Sequence, residues 1–124
     1  MRRRYGFTLV ELLVVMAIIS ILLTIAAPRY LGNVDKAKEA VLRQNLSLTR
    51  DALEKFKADT GKYPKALDEL VERRYLRALP IDPIVDRSDR WITIPPPGNS
   101  DGEVFDIKSS ATGMARDGTP YSSW

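Results

Sequence analysis

RRRYGFTLVELLVVMAIISILLTIAAPR, residues 2–29, is the stretch on which the reading of the whole chain turns. From Phe7 to Ala27 the only charged side chain is Glu11. At ~1.5 Å rise per residue, a helix of that length is about 31 Å long, the thickness of a bilayer's hydrocarbon core. Arg2, Arg3 and Arg4 stand just before it, which holds the N-terminus on the cytoplasmic side and sends the remainder outward. Glu11 breaks the pattern. A carboxylate about a turn into a membrane segment costs ~2.5 kcal/mol or more unless it finds a partner.

Composition narrows what the remainder can be. The chain has 124 residues, room for one small domain beyond the apolar segment. It has no cysteine, so disulfides, thiol catalysis and Cys-type zinc sites are excluded. It has no histidine, which removes most metal sites, every Ser-His arrangement and the usual general base near neutral pH. An enzyme is not expected. The net charge of +3 resides in the three leading arginines: the 19 Lys and Arg less those three leave 16, against 16 Asp and Glu. The rest is balanced and carries no case for nucleic-acid binding.

One reading of the N-terminus is a signal peptide or uncleaved signal anchor. Pro28 directly after Ala26-Ala27 argues against ordinary signal peptidase, the apolar run is long for a cleaved signal, and an anchor leaves Glu11 unexplained. A second reading begins at Gly6-Phe7-Thr8-Leu9-Val10-Glu11, a short basic leader ending in Gly, then Phe, then Glu four residues on. This resembles the class III signal of type IV prepilins and type II secretion pseudopilins. The resemblance implies a membrane prepilin peptidase/methyltransferase that cuts between Gly6 and Phe7 on the cytoplasmic side and methylates the new amine of Phe7. Gly6 lets a protease hold the backbone closely. The released amine is largely cationic at neutral pH and offers Glu11 a partner, in the same helix or in a neighbouring subunit. Glu11 is thereby expected to set the assembly register.

Pro28 removes a backbone donor and implies a helix bend, but membrane helices often continue past such a residue. Arg29 to Asp59 contains no proline, and apolar residues recur at Val34, Ala37, Val41, Leu48, Ala52 and Phe56, with a neighbouring stripe at Leu42, Leu46 and Leu53. Those spacings predict an amphipathic helix whose stripe is domain core. Glu39-Arg43 and Asp51-Lys55 stand in the favourable i, i+4 order. In Asp59-Thr60-Gly61-Lys62-Tyr63-Pro64, Gly61 suits a left-handed cap and Pro64 blocks resumption. Ala66 to Tyr75 reads as a short helix, Leu79-Pro80-Ile81-Asp82-Pro83 as an extended linker, and Trp91–Ile94 with Glu103–Ile107 as an antiparallel pair joined by a proline-glycine loop. Tyr121 and Trp124 are expected to anchor the polar tail. DTGKYP and LP-x-DP resemble the major, G-like pseudopilins of type II secretion.

The expected fold is α+β, the pilin fold: a long N-terminal helix, part transmembrane and part amphipathic, packed against a short helix and a small antiparallel β-sheet. The divisions are 1–6 leader, 7–27 transmembrane and assembly segment, 28–59 amphipathic half-helix, and 60–124 small periplasmic domain completed by that half-helix. The resemblance also implies calcium in a C-terminal loop after a strand like VFDI. Asp106, Ser109 and Asp117 lie in that neighbourhood, but Thr112 stands where an aspartate is wanted and Gly118-Thr119-Pro120-Tyr121 supplies no further acid. No cofactor is expected; the loop reads as held by hydrogen bonds and its two aromatics. Asp82, Asp86, Asp89, Asp101 and Asp106 read as solvated loop charges and not as an acid/base pair.

The resemblance thus implies a structural subunit of a type II secretion pseudopilus. It would be anchored in a bacterial inner membrane with its domain in the periplasm. Its partners would be copies of itself, minor pseudopilins, a platform protein and an assembly ATPase. The alternative within the resemblance is a type IV pilin, major or minor, of a surface pilus. A membrane-anchored periplasmic binding module is the reading from another class, and it predicts an unprocessed N-terminus.

Overall fold

A computed structural model describes residues 3–98 and 103–124; Met1, Arg2 and residues 99–102, Asp101 and Gly102 among them, lie outside that description. The chain divides into two compact units, Met1–Asp35 and Lys36–Trp124. Helix α1 runs Leu9–Thr60 and includes Pro28, as the continuing periodicity required.

In the first unit the side chains from Leu9 to Leu31 are exposed, with apolar residues on every face. A helix hydrophobic all round belongs in lipid or in a core. By length and composition this one is a membrane-spanning candidate. Its hydroxyls fit such a medium. Ser20 Oγ donates to the Met16 carbonyl at 2.7 Å and Thr24 Oγ1 to the Ser20 carbonyl at 2.8 Å, so neither donor needs water.

In the second unit α1 buries Leu42, Leu46, Thr49, Ala52, Leu53 and Phe56. The stripe at Leu42, Leu46 and Leu53 is core throughout. Of the other stripe Ala52 and Phe56 are core, while Ala37, Val41 and Leu48 are exposed, a correction to the expectation that the whole of it is core. The two stripes are adjacent, and what packs on the helix decides how far each is covered. The helix stops as expected: Gly61 takes φ +77° and its amide bonds the Lys57 carbonyl at 2.8 Å, while Thr60 Oγ1 closes on the Phe56 carbonyl at 2.7 Å.

Helix α2 spans Leu67–Glu72, shorter than the expected Ala66 to Tyr75. It ends early because Arg74 turns left-handed at φ 62°. The Tyr75 amide bonds the Leu70 carbonyl at 2.8 Å and the Arg74 amide bonds that of Val71 at 3.1 Å, the two bonds of a Schellman cap. A side chain in that conformation costs ~1–2 kcal/mol. Arg74→Gly is expected to raise the thermal midpoint by roughly 4–8 °C, read by circular dichroism; an unchanged or lower midpoint would contradict the strain.

Strands β1 (Ile92–Ile94) and β2 (Asp106–Lys108) form the antiparallel pair in the register Ile92 to Lys108, Thr93 to Ile107 and Ile94 to Asp106. Both are shorter than expected. The Val104 amide leaves the ladder to bond the Pro64 carbonyl at 2.7 Å, stitching β2's approach to the loop after α1. Trp91 precedes β1 as a buried core residue, its Nε1 donating to the Pro80 carbonyl at 2.8 Å. The core joins the α1 residues to Leu67, Leu70, Leu76, Trp91, Val104, Ile107 and Tyr121. The tail ends in a 3-10 turn, Tyr121–Ser123, with Tyr121 buried and Trp124 packed against the core.

Candidate processing and assembly site

Residues 3–8 carry no regular structure, and α1 begins at Leu9. The cause is local. Glu11 N–H donates to Thr8 Oγ1 at 3.1 Å and Thr8 N–H donates to Glu11 Oε2 at 3.1 Å. The Thr8 carbonyl accepts the first helical bond, from Leu12 N–H at 3.2 Å. This is a reciprocal capping box with Thr8 as N-cap, satisfying two amides that a helix start otherwise leaves free. Glu11 therefore has a partner within its own subunit. Sequence reasoning missed Thr8, although Thr8-x-x-Glu11 before an apolar run is the signature of such a box.

The box leaves Gly6-Phe7 in exposed chain just ahead of the helix. Phe7 is 89% exposed, and Tyr5, Gly6, Phe7 and Glu11 line an open cavity of about 280 Å³. A Cβ built on Gly6 meets nothing within 4 Å, and its φ is not in the left-handed region. Nothing inside this chain requires glycine there, in contrast with Gly61. Phe7, whose amine a cut before it would release, and Glu11 line the same cavity. Pro28 stands inside α1 as a covalent feature of that helix.

The C-terminal candidates go to separate partners. Asp106 Oδ1 accepts from Arg50 Nε at 2.8 Å and from the Ile107 amide at 2.8 Å. Ser109 Oγ donates to Asp82 Oδ2, and both residues are buried. Asp117 accepts from Thr119 Oγ1 at 2.6 Å and Thr119 N–H at 3.0 Å, and faces Arg43 at 3.4 Å. Those bonds, the Thr119 hydroxyl first, hold the Asp117 carboxyl below the ordinary range.

Asp82 and Asp106 thus correct the expectation of solvated loop charges, because each is bonded to a distant segment. Asp86 and Asp89 are exposed, Asp89 in a two-point bond to Arg87 at 2.8 Å, and Asp101 lies outside the described residues. The expected pairs Glu39-Arg43 and Asp51-Lys55 are absent among the described residues. Glu39 Oε1 instead accepts from the Arg116 amide at 2.9 Å and Tyr121 Oη at 3.0 Å, binding the tail to α1.

Residues 1–27 match the prokaryotic N-terminal methylation motif. The chain is 32% identical over 121 residues to type II secretion system core protein G of Xanthomonas campestris pv. campestris, covering 93% of this chain and 80% of that one. It is 33% identical to core protein G of Aeromonas hydrophila, covering 66% and 68%, and 33% identical to that of Klebsiella pneumoniae, covering 67% and 71%. No solved structure gives a significant match.

Proposed function

Since the chain belongs to the family of type II secretion system core protein G, and is a pseudopilin subunit of that machinery, we propose that its Gly6–Phe7 bond is cut by a prepilin peptidase, Phe7 is N-methylated, and Glu11 sets the register of assembly. Gly6 carries this reading. It is a glycine with open space where a Cβ would stand, so another protein can grip its backbone closely. The capping box supports the reading by keeping that bond outside the helix, where a protease can reach its backbone.

The processed subunit stays anchored by α1, with its N-terminus cytoplasmic and its domain periplasmic, the orientation that the arginines before the span favour. Copies pack through their N-terminal helices, with the Pro28 bend adjusting the path, into a filament capped by minor pseudopilins and driven by a platform protein and an ATPase. The chain catalyses nothing and moves exported proteins by assembling. Val41 and Leu48, exposed on α1, are available to neighbouring copies.

The test is the mass of the N-terminus after co-expression with a prepilin peptidase. Wild type is expected to lose residues 1–6 and gain one methyl group, while Gly6→Val stays full length with an unchanged melting temperature. Normal cutting of Gly6→Val removes the proposal. Deletion in the host is expected to trap exported enzymes in the periplasm and leave surface pili intact.

A further inference from the structure

Calcium, which the family resemblance implies for the C-terminal loop, does not fit the residues present. Its three nominated side chains each face a different partner: Asp106 faces Arg50, Ser109 faces Asp82, and Asp117 faces Thr119 and Arg43. Among the described residues no three acidic side chains gather where one ion could reach them. Calcium takes six to eight oxygens, usually with several carboxylates, and here guanidinium groups already contact Asp106 and Asp117.

We propose that the Arg50 guanidinium fastens the C-terminal loop in place of a metal, so that the domain folds independently of calcium. From α1, Arg50 Nε donates to Asp106 Oδ1 at 2.8 Å, and one terminal nitrogen donates to the main-chain oxygens of Ile107 at 3.1 Å and Trp124 at 2.8 Å. One carboxylate and two main-chain oxygens are the kind of donor set a calcium ion collects. A planar guanidinium collects them with directed, charge-assisted bonds. The pair with Asp106 is partly buried, the side chains being 37% and 29% exposed.

Arg43 supports the same loop from about two turns further back on α1. Its guanidinium lies 3.9 Å from the Trp124 ring centroid and 3.4 Å from Asp117. Tyr121 and Trp124 pack edge to face at 5.2 Å, and Trp124 Nε1 donates to Thr119 Oγ1 at 2.9 Å. The loop is thereby tied to the helix along its length by cations that belong to the chain.

The experiment is thermal unfolding of the full chain in detergent micelles, with chelator and with calcium well above the ~10⁻⁴–10⁻³ M affinity range of extracellular modules. The wild-type midpoint is expected to be the same in both. A site filled at about ten times its Kd would raise it by roughly 5–10 °C, and such a rise overturns the proposal. Arg50→Gln is expected to lower the midpoint by roughly 5–15 °C and to speed amide exchange chiefly over residues 106–124. An unchanged midpoint in Arg50→Gln also overturns it. If Arg50→Gln does not fold, Arg50→Lys keeps the charge without the fork, and it is expected to fall between wild type and unfolded. A midpoint equal to wild type would refute the role of the fork.

Discussion

Glu11→Gln is expected to insert and be processed as wild type does, yet to yield at least ~10-fold fewer filaments, since even ~1.4 kcal/mol per subunit interface is a tenfold change in its equilibrium. The choice of Gln matters. Glutamine at this position can still close a capping box, so this substitution leaves the start of α1 intact and removes only the charge. Glu11→Ala removes both. If the carboxylate sets the register by meeting the amine of Phe7, the two variants fail alike. If the capping bond between Glu11 and Thr8 is what assembly needs, Gln assembles and Ala does not. Normal filament yield from Glu11→Gln, counted by electron microscopy of sheared fractions, would end the charge-register proposal. The capping geometry permits both roles together, because the Thr8 amide bonds one Glu11 oxygen, Oε2, and Glu11 shares a cavity with Phe7.

Asp82→Ala is expected to destabilise the C-terminal domain by about 2–4 kcal/mol, because it strands the Ser109 hydroxyl and the Ile84 amide, each costing ~1–3 kcal/mol when left buried without a partner. Asp82 is fully buried, and its Oδ1 accepts from Ile84 N–H at 2.9 Å while Oδ2 accepts from Ser109 Oγ. The Ser109 oxygen in turn accepts from the Ala111 amide at 3.2 Å. One carboxylate thus joins the LP-x-DP linker to the segment after β2. Asp82→Asn, which can keep an acceptor toward Ile84 and a donor toward Ser109, is expected to lose less than half as much. Urea unfolding followed by the fluorescence of Trp91, whose ring nitrogen bonds Pro80 in the same linker, reads both variants. A loss below ~1 kcal/mol in Asp82→Ala, the ordinary range for a surface change, would show that the linker is held by something else.

These two acids show what was readable in advance and what was not. Glu11 stood out because a single charge in an apolar run is a local anomaly, and its partner Thr8 was within reach of the same local reading. Gly61 could be assigned because a cap needs only its own dihedral angles and the carbonyls one turn back. Asp82 looked like any turn aspartate next to a proline, since nothing near it announces Ser109, 27 residues away. Arg50 is one of many charges along α1, and nothing near it in the chain announces its three acceptors, which lie 56 to 74 residues downstream. The shortened β-strands have the same origin, because the Val104 amide is claimed by Pro64 and not by a strand neighbour.

The sequence by itself determined the anchor, the processing motif, the continuous helix through Pro28, its stop at Gly61 and the α+β class, all of which follow from periodicity, length and turn chemistry within a few residues. Only the tertiary structure decided which residues of two adjacent apolar stripes on α1 are core, that Asp82 is buried, and that the guanidinium groups of Arg43 and Arg50 contact the C-terminal loop. Those outcomes depend on which side chains distant in the chain arrive at the same place, and a buried polar group then takes whatever partner satisfies it there.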